Sequence, residues 1–407
     1  MGMMISFAAL FLSVILMQLA SGGLGPLDAL SGLALAFTTA QIGLLGSAHF
    51  LGFFIGCWWA PRLMGSVGHS RAFAAFTAAG TISLIAHMLV IDPWAWALMR
   101  VAMGLCIAGC YTVLEAWLQA KVTNATRGRA MGVYRLTDMG ASLVAQLLIS
   151  VLEPASYVSY NLLAMLCCAA LLPLTLTRAE QPKTPVAPRL RPGLAIACSP
   201  LAAAGVVVAA LSSATFRMIG PLYGKQVGLT TAQIAWFLAA FVLGGALAQL
   251  PVGWLADRYD RRYGLIGLSV AAIACCVITA WLGALSARGV MLAAFFFGIT
   301  SFPIYSVAVA HANDFATADQ RVELSAAMMF FYALGAIAAP LAASGLIAAF
   351  GPPAMFLMIA AGHALLVIFG IMRLRARPAQ APRTKYVWTP RTSFIIGRLT
   401  KGSRDPR

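Results

Sequence analysis

The chain has 407 residues, of which 61% are apolar and only 10% charged, against roughly a quarter charged in a soluble domain. A soluble fold this apolar would expose large adhesive patches, so composition excludes an ordinary soluble enzyme and makes the bilayer the natural solvent. The net charge of +16 would alone suggest a polyanionic partner, but its distribution assigns it to membrane topology and leaves no need for nucleic acid.

Windows of about 20 mostly apolar residues, the length that crosses a hydrocarbon core, recur along the chain. Their centres lie near Val14, Phe50, Gly80, Cys106, Gly140, Met165, Val206, Ala240, Ala272, Thr300, Leu334 and Ala360. Backbone amides cannot go unpaired in lipid, and no window alternates polar and apolar as a barrel strand would. Twelve helices are therefore expected. The first window ends in Gln18-Leu19-Ala20-Ser21, which imitates a signal-peptide cleavage site. No Lys or Arg precedes Arg62, so the segment is expected to remain as the first span.

The two halves of the chain share letters in the same order. Gly25-Pro26-Leu27 returns as Gly220-Pro221-Leu222, and Thr38 to Ile42 as Thr230 to Ile234. Leu51-Gly52 returns as Leu243-Gly244, Tyr111 and Val113 as Tyr305 and Val307, and Gly140-Ala141 as Gly335-Ala336. The offset is nearly constant at 192–195 residues, the mark of an internally duplicated chain and, in a membrane protein, of parallel repeats.

Placing the N-terminus in the cytoplasm puts all but five of the 28 basic residues on that side. The exceptions are Lys225 and Arg288 in outer loops, and Arg100, Arg135 and Arg217 within spans. This asymmetry is the positive-inside pattern, and the basic rim is suited to anionic inner-leaflet lipids. The expected organisation is an N-terminal six-helix bundle over 1–177, a Pro-rich cytoplasmic linker over 178–192, and a second bundle over 193–373. A basic cytoplasmic tail over 374–407 is expected to be disordered. The eight cysteines lie in apolar runs without a Cys-x-x-Cys pair, so neither a disulfide framework nor a metal site is expected.

The charged residues inside spans are the candidate functional groups, because such residues are costly in lipid. Arg135 and Asp138 stand three residues apart on one face of the fifth span. Two readings are open: an internal ion pair, or a protonatable Asp138 whose neutralisation frees Arg135. Arg100, in the fourth span, reads as a functional cation, a structural partner of Asp28 or Glu153, or a side chain snorkelling to the outer interface. Glu115, near the inner end of that span, is expected to pair with Arg127 or Arg129. Gln18 and Arg217 lie in spans one and seven, where Gly and Pro interrupt both apolar runs at matching places. Arg217 is expected near a helix end at the outer interface.

The loop Gly253 to Arg262 (GWLADRYDRR) carries Gly253, Asp257, Arg258, Arg261 and Arg262. It resembles the loop signature of the major facilitator superfamily, and Arg100 with Gly104 (RVAMGLCIAG) resembles that family's Arg-x-x-x-Gly pattern. The stretches DPWAWALMR, YTVLEAWL through RGRAMGVY, and FPIYSVAVAHAND resemble its YcaD-like branch, over nearly the whole chain. The resemblance implies twelve helices in two pseudo-symmetric six-helix bundles, a secondary transporter, and a loop acting as a cytoplasmic latch. It links the Arg100 pattern to proton or substrate handling. The matching first-half loop has Pro61 where the family has its acid, so the latch is expected in the second half alone.

There is no Walker pattern, no Gly-x-Gly-x-x-Gly following a strand, and no nucleophile–base pair, so neither an enzyme nor a cofactor is expected. The expected function is secondary active transport of a small molecule by alternating access, coupled to protons, by a monomer in a bacterial inner membrane. The alternative is a non-transporting membrane sensor or assembly partner that kept the fold.

Overall fold

The computed structural model of the protein describes residues 2–123, 126–176, 188–282, 286–376 and 383–401. In chain order its helices are α1 (Gly2–Ala34), α2 (Thr39–Val67), α3 (His69–Ala86), α4 (Pro93–Lys121), α5 (Arg127–Leu148), α6 (Tyr157–Ala169) and α7 (Leu171–Thr175). Then come α8 (Pro192–Cys198), α9 (Pro200–Gln226), α10 (Thr231–Arg258), α11 (Arg261–Leu282), α12 (Ala287–Asn313), α13 (Arg321–Phe350), α14 (Ala354–Ala376) and α15 (Ile396–Lys401). No strand occurs among the described residues.

Every expected window centre falls within a helix, with α6 and α7 sharing one crossing. Ten crossings are long and apolar enough to span a membrane. The other two, α3 and α5, carry the polar load: α3 opens on His69-Ser70-Arg71, and α5 holds Arg127, Arg129, Arg135 and Asp138. Leu250, Leu176 and Val158 are among many large apolar side chains left exposed around the bundle, the surface a lipid-solvated protein presents. Most of the expected linker lies outside the described residues.

The repeat has a physical content. In both copies of Thr-Thr-Ala-Gln-Ile, the first Thr caps the next helix. Thr38 Oγ1 accepts from the Gln41 amide while Gln41 Oε1 accepts from the Thr38 amide at 2.8 Å. Thr230 and Gln233 repeat this with 2.9 and 3.2 Å bonds. Each is a capping box, satisfying amides that a helix start leaves unpaired. α2 packs along α4, and α10 packs along α12 in the same way. A methyl group added at Gly52 would overlap the Val101 carbonyl, and one at Gly104 the His49 carbonyl. In the second half Gly244 meets the Phe295 carbonyl and Gly298 the Phe241 carbonyl. Glycine is needed at all four places because the helix backbones touch there.

The halves meet through α1 with α9, α2 with α13, and α5 with α10. At the end of the bundle away from the termini, Gly43 and Gly46 let α2 lie directly on Pro340 and Ser344 of α13. The Gly and Pro interruptions expected in spans one and seven do not break the helices: α1 continues through Pro26 and α9 through Pro221. Their glycines serve packing instead, Gly22 against Ala145 and Gly25 against Met218.

Candidate functional site: a polar cavity between the halves

Where the halves face each other, a cavity of about 110 Å³ is lined from both sides. The first half contributes Gln18, Tyr111, Arg135, Asp138 and Gln146, and the second Arg217, Phe302 and Tyr332. Arg135 Nη1 lies 3.3 Å from Asp138 Oδ2, both residues nearly buried. The three-residue spacing that places them on one face is therefore used as an ion pair. The Tyr111 hydroxyl, from α4, lies 2.8 Å from Asp138 Oδ1 and 2.7 Å from Gln18 Oε1. A phenol has one proton, so it serves one of these two acceptors at a time. Gln18 on α1, Tyr111 on α4 and Asp138 on α5 thus form one hydrogen-bonded chain across three helices.

Arg217 departs from expectation. It lines this cavity rather than sitting at a helix end, because α9 runs on for more than two further turns to Gln226. Tyr332, at the place in α13 that corresponds to Asp138 in α5, lines the same space.

Glu115 also departs from expectation. It is fully buried, and hydroxyls reach it in place of the loop arginines Arg127 and Arg129. Tyr134 donates to Oε1 at 2.9 Å. Thr392 and Ser393, from the C-terminal segment, donate to Oε1 and Oε2. Burial places the carboxylate inside the bundle, too deep for the loop.

Arg100 is 1% exposed, which excludes snorkelling. Its Nε lies 3.5 Å from Asp28 Oδ2 and its Nη2 3.6 Å from Met218 Sδ across the half–half boundary. Of the two structural partners expected, Asp28 is the one used. His87 Nε2 stands 3.6 Å from the same Asp28 oxygen, and Tyr160 donates to the other at 2.8 Å. This cluster borders the cavity through Met218 and Gly25, which line it, on the side away from the termini.

The Gly253–Arg262 loop is organised by Arg261, which is buried. Its guanidinium reaches Asp257 Oδ1 at 3.1 Å, Asp314 Oδ1 at 2.6 Å and the Ala310 carbonyl at 2.9 Å. Arg262 pairs with Asp260 at 2.7 Å, and Arg258 lies over the Trp254 ring. The motif therefore ties α10 to α12 within the second half. Burial pushes the Asp314 carboxyl up from its ordinary pKa, against the pull of Arg261 and Thr384. Partial burial also works to raise Asp260, but there the Arg262 hydrogen bonds and charge prevail and hold it below the usual carboxylate value.

The basic tail, expected to be disordered, is otherwise over residues 383–401. They turn back into the bundle between the two halves. Thr384 binds Asp314, and its carbonyl accepts from Arg261. The Tyr386 amide donates to Asp257 at 2.6 Å and its hydroxyl to Gln249 at 2.8 Å. Trp388 lies under the Arg135 guanidinium, 4.7 Å from ring centre to Cζ. Phe394, Ile395 and Ile396 are buried. That apolar run, set among basic residues, is what composition averaged over the tail conceals.

The family description "Major Facilitator Superfamily" matches residues 201–404. The chain belongs to the major facilitator superfamily. An uncharacterised MFS-type transporter of Yersinia enterocolitica is 26% identical over 82% of the chain and 87% of its own length. An uncharacterised MFS-type transporter, YcaD, of Salmonella heidelberg is 27% identical over 83% and 87%. Among solved structures, the nucleoside transporter NupG superposes with a TM-score of 0.70 at 15% identity, covering 92% of this chain and all of that one. A bacterial homologue of the human lysosomal transporter Spinster, inward-facing and unoccupied, gives 0.69 at 14% identity and 98% coverage of both. The superfamily fold of twelve crossings in two six-helix bundles accounts for the repeat. Membership of that superfamily, with relatives described as MFS-type transporters, makes this a membrane transporter and leaves its cargo to the side chains of the cavity.

Proposed function

We propose that the protein is a secondary active transporter that carries a small molecule across a bacterial inner membrane by alternating access, with both termini cytoplasmic. The moving bodies are residues 1–177 and 193–373, joined by the 178–192 linker and acting as a monomer. The observation that carries this reading is the cavity that both halves line, where Arg135, Asp138, Arg217, Gln18 and Tyr111 gather inside an apolar bundle. Ionisable groups at membrane depth are expensive and mark substrate or proton paths. The crowding of Lys and Arg at the terminal end supports the orientation, and anionic inner-leaflet lipids are the partners of that rim. A solved D-xylose-proton symporter superposes with a TM-score of 0.66 at 13% identity, which is consistent with proton coupling in this fold.

Asp138 is the proposed proton carrier. Ionised, it accepts from Tyr111 and faces Arg135. Protonated, it becomes a donor to Tyr111, whose own proton turns to Gln18, and Arg135 loses its counter-charge. One proton thus rearranges contacts on α1, α4 and α5 together. Arg100 and Glu115 support the helices that carry this chain, and Arg258, Arg261, Arg262, Asp257 and Gly253 form the gating loop. The test is flux in proteoliposomes, with a substrate chosen from a compound panel by thermal stabilisation of the purified protein. Asp138→Asn is expected to abolish pH-driven flux in a protein that still folds, with thermal unfolding lowered because Arg135 loses its buried counter-charge. Unaltered pH-driven uptake would remove Asp138 from the mechanism. Absence of any flux in the parent protein would favour the sensor alternative.

A further inference from the structure

The C-terminal segment occupies the cavity as a ligand would. Arg391 is its central group. Its guanidinium carbon stands 5.2 Å from the Phe302 ring centre, 5.7 Å from Tyr305 and 5.2 Å from Tyr332. Its Nη1 donates to Ser213 Oγ at 3.1 Å, and Ser213 in turn is 2.9 Å from the Tyr332 hydroxyl. Three ring faces converging on one cation form an aromatic cage. Next along the chain, Thr392 and Ser393 supply two of the three hydroxyls that reach the buried Glu115 carboxylate. With Arg391 and Thr392 in its wall, the cavity retains about 110 Å³, less than the few hundred Å³ usual for a small-molecule site.

Withdrawal of the segment would leave two vacancies side by side. One is an aromatic cage shaped to a planar cation. The other is a carboxylate stripped of most of its donors, and a buried charge in that condition needs a partner. Arg135 and Arg217 also line the cavity, with Asp138 facing Arg135; the demand for positive charge and donors is local to the cage and to Glu115 beside it.

We propose that residues 384–396 are an intramolecular ligand of the transport cavity, and that Phe302, Tyr305, Tyr332 and Ser213, with Glu115 beside them, form a subsite for guanidinium- or amine-bearing small molecules that compete with Arg391. This rests on the transporter reading above and names the substrate class of the same cavity.

The test is chemical rescue in the purified full chain, with ethylguanidinium as the probe for the missing side chain. Arg391→Ala is expected to bind ethylguanidinium about tenfold more tightly than the parent, read by calorimetry and by thermal stabilisation. Propionate, of similar size and opposite charge, is expected to stabilise neither. Arg391→Lys keeps a cation in the cage and is expected to behave as the parent. Adding Tyr332→Leu to Arg391→Ala is expected to abolish the gain. Equal ethylguanidinium affinity in Arg391→Ala and the parent, or equal stabilisation by propionate, overturns the proposal. Rescue without flux of any cation in proteoliposomes would sink the transport reading and leave the cage standing. Flux without rescue would sink the cage alone.

Discussion

Gly253→Ala separates the packing of α10 from the seating of the tail. A methyl carbon at that position would lie 2.7 Å from Tyr386 Cδ1 and 2.8 Å from Cε1, where ordinary contact is 3.4–4 Å. The ring has to move outward by most of an ångström, and the Tyr386 hydroxyl bond to Gln249 and its amide bond to Asp257 move with it. A neutral hydrogen bond contributes about 0.5–1.5 kcal/mol net and one to a charged group about 1.5–3. The Asp257 side chain is 46% exposed, so water replaces part of the second bond. The lower figure for the pair, about 2 kcal/mol, is the appropriate one, and it corresponds to a roughly thirtyfold shift toward the undocked tail. The helix itself gains, since Ala is about 1 kcal/mol better than Gly in a helix interior. Hydrogen exchange followed by mass spectrometry on the full chain is therefore expected to show faster exchange across 384–396, with α10 unchanged or slower. On a Tyr386→Ala background the methyl has room, and Gly253→Ala is expected to add nothing. Unchanged exchange across 384–396 in Gly253→Ala would refute the docking as described.

Arg100→Ala leaves Asp28 buried without its cation and is expected to cost about 3–5 kcal/mol. Thermal unfolding in detergent would show this, with most of the loss recovered in the Asp28→Asn, Arg100→Gln double variant; a neutral single variant would mean the pair is not coupled. Gly244→Ala and Gly52→Ala place a methyl on a neighbouring carbonyl and are each expected to cost about 3 kcal/mol, the upper end for overpacking. Gly267→Ala, with nothing within 4 Å, is the matched control, and yields of folded protein after membrane extraction compare the three.

What can be read from the sequence is local or periodic. Ten of the twelve crossings follow from apolar run length. The duplicated Thr-Thr-Ala-Gln-Ile is a capping box in both places, and Leu-Gly marks the close approach of α2 to α4 and of α10 to α12. Arg135–Asp138 and Asp257–Arg261 are visible as helical spacings of three and four. What cannot be read depends on convergence of distant segments. Tyr111 joins Gln18 to Asp138 across three helices; its recurrence as Tyr305 flags the position but not the partner. Gly220-Pro221 looks like a helix stop and points Arg217 to the outer interface, whereas buried neighbours keep α9 helical through it. Nearness in sequence suggests a loop partner for Glu115, while Thr392 and Ser393 arrive from 277 and 278 residues away.

The placement of the Arg261 cluster bears on the proposed alternation of the two ends of the bundle. Its carboxylates, Asp257 and Asp314, are engaged within the second half and with Thr384 and Tyr386. The same segment then crosses to the first half, where Thr392 and Ser393 reach Glu115 and Phe394 meets Phe54. Between the halves at the terminal end there is thus a stretch of chain with polar anchors on both walls, whereas at the opposite end α2 and α13 touch directly through Gly43 and Gly46. Direct contact cannot form at the terminal end while residues 384–396 fill the gap. Closing that end requires the segment to leave, which takes two of the three hydroxyl donors from Glu115 and leaves Tyr134; on the proposed reading the cavity's new occupant supplies the replacement.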